Sequence, residues 1–184
     1  MKKAIIVHGW GGSPGEAWQS WLKEELEKKG WEVETPEMPN SEEPKIDGWV
    51  SKLYDYKIDK KTYFVGHSIG CQAIMRYLER INGKLGGIVF VAPWTHLKGI
   101  EDEPGAVEIA EPWLETAINF ERVREKTKKI ICIFSDDDYY VPLSEKEVFE
   151  NILDAETIVL HEKGHFAPED GVIELPIILE KLDF

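Results

Sequence analysis

The segment Tyr63-Phe64-Val65-Gly66-His67-Ser68-Ile69-Gly70-Cys71-Gln72-Ala73 constrains the fold more than any other part of the chain. An apolar run leads into Gly66-x-Ser68-x-Gly70, and a run of helical period leaves it. A strand that turns abruptly into a helix crowds the positions two before and two after its apex, where a β-carbon would clash. The apex residue is held in a strained backbone conformation that projects its side chain above the sheet edge. The first N–H groups of the helix point to the same place and favour negative charge there. A Gly-rich turn that merely closes a structural βα unit is the competing reading of these residues.

The rest of the chain supplies a sheet and helices for such a turn. Short β-branched runs at Lys3–Val7, Trp31–Thr35, Thr62–Val65, Gly87–Val91, Ile130–Phe134 and Thr157–Leu160 read as strands. Several are almost wholly apolar, as strands covered on both faces must be. Segments of helical period lie between them at Glu16–Lys29, Ile46–Tyr54, Ile69–Ile81, Ser144–Ile152 and Val172–Leu182. Gly30 and Gly83 are placed to cap two of these helices. The alternation predicts an α/β fold with a mostly parallel sheet of about six strands between helical layers. With 184 residues and no repeat or low-complexity tract, residues 1–184 read as a single domain. Pro93 to Lys128 fits the alternation least, with Pro104, Gly105, Pro112 and a short helix near Val107–Ala110. A connection this long is usually functional, often a lid or specificity element.

Charge and cysteine content remove several function classes. Acidic residues outnumber basic ones 35 to 22, a formal net charge of −13. Nucleic-acid binding needs clustered Lys and Arg, and a polybasic membrane anchor needs the same. No apolar run approaches the ~18–20 residues of a membrane span. Ala4–Val7 is too short for the ~7–15-residue core of an export signal, so a cytoplasmic location is expected. Cys71 and Cys132 read as reduced core residues, since two cysteines build neither a disulfide framework nor a Cys-rich zinc site. No metal site and no cofactor is expected. A Walker loop and a Gly-x-Gly-x-x-Gly dinucleotide fingerprint are both missing, and calcium-loop spacing is not present at Asp136–Asp138.

A serine hydroxyl at the apex of such a turn is a poor nucleophile unless a base accepts its proton and a third group orients that base. The later strand ends supply both. Ile130–Phe134 runs into Ser135-Asp136-Asp137-Asp138-Tyr139-Tyr140-Val141-Pro142, and Thr157–Leu160 runs into His161-Glu162-Lys163-Gly164-His165-Phe166. Among five histidines, His165 lies in the loop beyond the last strand, from which a base can reach back to Ser68. His8 belongs to the His-Gly turn and organises that loop. His67 sits beside the apex, where its side chain is expected to point away from the attack face. His96 is expected to be exposed and His161 structural. The N–H of Ile69, next after the apex, is one expected oxyanion donor. Trp10, Trp94, Trp113 and Tyr139 follow strand ends, where α/β sheets place their sites. An aromatic-lined substrate pocket from Trp94, Trp113 and Tyr139 competes with ordinary packing.

With the chain order Ser, Asp, His, the sequence resembles the α/β-hydrolases over nearly its whole length. More narrowly it resembles the small serine hydrolases grouped with retinoblastoma-binding protein nine. The matching pieces are His8-Gly9-Trp10-Gly11, Met38-Pro39-Asn40, His67-Ser68-Ile69-Gly70-Cys71 with the helix after it, Ser135-Asp136-Asp137-Asp138 with Val141-Pro142, and Gly164-His165-Phe166. The resemblance implies strand order 2-1-3-4-5-6 in a minimal α/β/α sandwich without a large cap domain. Through the Asp-x-x-Val-Pro string it implies Asp138 as the catalytic acid, leaving Asp136 and Asp137 as turn residues. Through the His-Gly-x pattern it implies the N–H of Trp10 as the second oxyanion donor. The implied activity is hydrolysis of small-molecule carboxylic esters through Ser68, His165 and Asp138 and an acyl-enzyme. The alternative is a protein-binding scaffold on the same fold, its partner unknown. Neither Cys71 nor Cys132 lies in the Leu-x-Cys-x-Glu string usual for pocket-protein ligands.

Overall fold

The computed structural model describes residues 1–182. Six strands, β1 (Lys3–Val7), β2 (Glu32–Glu34), β3 (Thr62–His67), β4 (Gly87–Val91), β5 (Ile130–Ser135) and β6 (Glu156–Leu160), form one sheet in the order 2-1-3-4-5-6. Every neighbouring pair is parallel. The strand order is the one expected, and the sheet is wholly rather than mostly parallel. β3, β4 and β5 are buried along their whole length, which explains their unbroken apolar runs. β6 closes one edge and is half-buried, with Glu156 and Val159 exposed.

The helices are α1 (Ala17–Lys28), α2 (Ile46–Leu53), α3 (Ile69–Arg80), α4 (Ala106–Glu115), α5 (Phe120–Arg124), α6 (Glu145–Leu153) and α7 (Pro176–Leu182). α1 packs with α7, while α2, α3, α5 and α6 pack in succession, giving a helical layer on each face of the sheet. α3 is the central helix, buried from Ile69 through Leu78. Gly30 has positive φ and closes α1 as expected, with Gly30 N bonded to Glu27 O and Trp31 N to Leu26 O. α3 instead ends at Ile81 in extended backbone, so Gly83, also of positive φ, lies beyond the helix end and does not cap it. None of the helices among the described residues is long and apolar enough to cross a membrane.

Two segments differ from the sequence reading. The last helix begins at Pro176 rather than Val172. Proline is tolerated in a first helical turn but forces the residue before it toward extended backbone, so the apolar residues upstream cannot join. Between Pro93 and Lys128 the structure has a 3-10 turn at Ile100–Asp102 and two α-helices, rather than the one short helix expected near Val107–Ala110. α4 runs on past Pro112, which has no N–H to give the carbonyl of Glu108 four residues earlier. α5 is capped by Asn119, whose side chain accepts from Arg122 N at 3.1 Å.

Candidate active site

Ser68 occupies the turn between β3 and α3 with φ 51° and ψ −120°, a strained conformation for a residue with a side chain. The crowding around it accounts for both glycines. A β-carbon on Gly70 would lie 2.5 Å from His8 O and 2.7 Å from Val7 O. One on Gly66 would lie 2.7 Å from Ile74 Cδ1 and 3.0 Å from Cys71 N. Only hydrogen at these places lets α3 approach β3 at Gly66 and the end of β1 at Gly70 this closely.

Three side chains from three strand ends meet there. His165 Nε2 is 2.9 Å from Ser68 Oγ, and His165 Nδ1 is 2.9 Å from Asp138 Oδ2 and 3.1 Å from Oδ1. All three residues are buried. Asp138 Oδ1 also accepts from the backbone N–H groups of Tyr140 (2.8 Å) and Val141 (2.9 Å), which fixes the carboxylate within its own turn. Of the three candidate aspartates, only Asp138 touches the imidazole. Asp137 accepts from Ser135 Oγ and Gly164 N, and Asp136 pairs with His161 Nδ1 at 2.6 Å and accepts from Glu162 N. Both therefore tie the β5 turn to the loop after β6. His161 and His96 are exposed, and His96 bonds to the buried Glu145.

His67 departs from the expected orientation. Its ring lies in the site rather than pointing away, with its Nε2 2.7 Å from the backbone carbonyl of His165. A carbonyl only accepts, so Nε2 carries the proton. Trp18 Nε1 donates to the next carbonyl, Phe166 O, at 3.1 Å. Burial, and after it the neighbouring His165, push the His67 imidazole down to about 3, so it is neutral in ordinary buffers. His8 bonds the backbone on both sides, to Gly9 O and from Met38 N, and organises the loop as expected. Asp170, unsuspected from sequence, accepts from His165 N and Ala167 N, both at 2.9 Å. The signal for it was slight: an Asp two residues after a loop proline, a common turn-former.

Around the meeting point lies a cavity of about 700 Å³. Gly9, Trp10, Gly11 and Gly12 line one part, Glu16 to Gln19 another, and residues 165–169 a third. Gly11 N and Gly12 N are engaged by Ser41 O and Gly9 O. Ile69 opens α3, so its N–H is among those with no partner inside the helix. From the long connection, Trp94, Leu97, Ile100 and Ile109 reach the cavity, as do Tyr139 and Tyr140 from the turn after β5. Trp113 does not. It is 1% exposed, donates to Pro44 O at 3.0 Å and stacks edge-on with Trp49, so it fastens α4 to the core beneath. The connection is bonded to the Asp138 turn by Lys98 N to Tyr140 O (2.9 Å) and Tyr140 OH to Glu103 Oε1 (3.2 Å). Among the described residues, no group of three or more His, Cys, Asp or Glu is disposed to hold a metal ion.

A family model described as serine hydrolase matches residues 4–184. The chain is 30% identical over 185 residues to the YdeN protein of Bacillus subtilis, covering 98% of this chain and 94% of that one. It is 29% identical over 168 residues to the serine hydrolase RBBP9 of Rattus norvegicus, covering 89% and 87%. The crystal structure of the ydeN gene product superposes with a TM-score of 0.90 over 99% of this chain and 97% of that chain, at 29% identity. Est1E from Butyrivibrio proteoclasticus, with ferulic acid bound, shares the fold at a TM-score of 0.71 and 15% identity, over 100% of this chain and 90% of that one.

Proposed function

Since the chain belongs to the serine hydrolase family, we propose that it cleaves small carboxylic esters through Ser68, His165 and Asp138. The observation that carries this reading is the unbroken relay Ser68 Oγ–His165 Nε2 and His165 Nδ1–Asp138 Oδ2, both at 2.9 Å. His165 takes the Ser68 proton as Oγ attacks the ester carbonyl. Asp138, already accepting two backbone N–H groups, holds the ring in the tautomer with Nε2 free to accept and stabilises the imidazolium. The oxyanion is held by the backbone N–H groups of Ile69 and Trp10. The alcohol leaves with the proton from His165, and water activated by the same imidazole hydrolyses the acyl-enzyme.

The cavity suits this use. Aromatic and aliphatic groups line it next to a few polar atoms, the usual make-up of a site for a small organic molecule. The ferulic acid held by Est1E, of the same fold, supports an ester of an aromatic acid as a first substrate to try. The test is labelling with a fluorophosphonate, followed by peptide mapping. The label is expected on Ser68, and Ser68→Ala is expected to abolish it and lower kcat on p-nitrophenyl acetate by about 10⁴ or more. Labelling of the folded Ser68→Ala protein to the wild-type level would falsify the assignment. No labelling and no turnover by wild type would leave the fold as a binding scaffold.

A further inference from the structure

One polar residue in the buried face of α1 has no structural occupation. The residues of α1 that face inward are Trp18, Gln19, Leu22 and Leu26, so Gln19 stands where packing alone would place a leucine. It is 4% exposed. Its backbone N–H bonds to Glu16 O at 2.9 Å, while its side-chain amide makes no hydrogen bond to any of the described residues. Its amide atoms are not sealed off either, unlike Gln72 Oε1 and Trp94 Nε1, which are fully enclosed without partners. Gln19 lines the cavity that holds Ser68 and His165. A residue so deeply covered keeps its remaining open surface toward the space it lines.

A primary amide offers two donors and an acceptor. In a wall shared with Ala17, Trp18 and Phe166 it carries a desolvation penalty that a matching ligand group removes. The ligand group it fits is neutral, because Glu16 stands in the same wall and disfavours an anion. We propose that Gln19 is a specificity residue that hydrogen-bonds a hydroxyl or amide carried by the substrate apart from its scissile carbonyl. The proposal rests on the hydrolase reading above. It makes the preferred substrates hydroxy- or amido-substituted esters rather than plain alkyl ones, since a site built around a buried polar group discriminates against ligands that leave it unpaired.

The experiment uses p-nitrophenyl esters in matched pairs. In each pair a straight acyl chain is compared with an isostere bearing one hydroxyl or one amide, at successive positions. Wild type is expected to favour at least one polar ester by roughly 10-fold or more in kcat/KM. Gln19→Leu and Gln19→Met are expected to bring that ratio to within about 2-fold, with a melting temperature equal to or above wild type. A preference for the alkyl ester in every pair overturns the proposal, as does a polar preference that survives either folded variant. Failure of both variants to fold also overturns it, because the amide would then be structural. If wild type neither turns over any ester nor takes a fluorophosphonate on Ser68, the hydrolase reading itself fails. Labelling and turnover without a polar preference remove only the role of Gln19.

Discussion

The His67 ring donates from Nε2 to the backbone carbonyl of His165 at 2.7 Å, so the residue beside the proposed nucleophile also holds the loop of the proposed base. With Trp18 donating to Phe166 O, two ring N–H groups grip two successive carbonyls of that loop. His67→Leu should therefore lower kcat on p-nitrophenyl acetate by about 10- to 100-fold, since small misplacements of catalytic groups are felt at that scale. KM should change little. His67→Gln, whose amide can donate from the same reach, should recover most of the loss. Equal kcat in wild type and a folded His67→Leu protein would remove His67 from any positioning role.

The same residue sets a pH dependence of stability. The folded-state pKa of His67, about 3, lies below its ordinary value of 6.5. Between those values the unfolded chain binds the extra proton and the folded protein does not, so stability falls as pH falls through that window. The slope approaches about 1.4 kcal/mol per pH unit for one proton. His8, also lowered by burial, acts with the same sign. His161, raised by Asp136, acts with the opposite sign, losing its contribution as pH rises past its folded value, but it is exposed and weakly coupled. Urea unfolding at several pH values from 7 to 4 should show a shallower decline for His67→Gln than for wild type. Parallel declines would contradict the burial argument.

Gly70→Ala should be among the most damaging single-methyl additions in the chain. The new methyl meets two backbone carbonyl oxygens, which cannot rotate aside. A loss on the order of 1–3 kcal/mol or more follows from overpacking of this kind. Gly66→Ala meets the movable Ile74 side chain first and should be milder, although Cys71 N is close behind. Chemical denaturation of both variants would show a reversed order if the backbone contact were unimportant.

The two parts of the long connection should separate on mutation. Leu97→Ala and Ile109→Ala enlarge the cavity and should shift the kcat/KM ratio between long and short acyl esters toward the longer ones. Trp113→Ala should leave that ratio alone and lower stability by ~3–5 kcal/mol. A changed ratio with unchanged stability in Trp113→Ala would place that ring at the substrate after all.

That residues around Ser68, Asp138 and His165 would meet at one sheet edge was legible because each stands at a strand end in a short turn. The glycines around Ser68 are the clearest case, since the steric conflict they relieve involves neighbours fixed by the strand-to-helix turn itself. Asp138 needed more: three aspartates in a row are equivalent in composition, and a resemblance to known hydrolases separated them. Gln19, His67 and Asp170 were not legible as site residues. Gln19 follows Trp18 in an ordinary amphipathic pattern, and its meaning comes from a cavity closed by residues far along the chain. Trp94 and Trp113 looked alike in sequence, and only the seating of Trp113 against Trp49 and Arg76 separates it from Trp94, which lines the cavity.

The bonds from Lys98 N to Tyr140 O and from Tyr140 OH to Glu103 bear on how this scaffold could be re-engineered. An insert carried between two strands invites transplantation from one relative to another as a way of exchanging substrate range. Here the insert shares Tyr140 with the turn that carries Asp138, and the Asp138 carboxylate accepts from the backbone N–H of Tyr140 itself and from that of Val141. A graft that replaces residues 95–115 without a matching Tyr140 partner would loosen the acid along with the pocket. The natural unit of exchange is therefore the insert together with residues 138–142, moved as one piece.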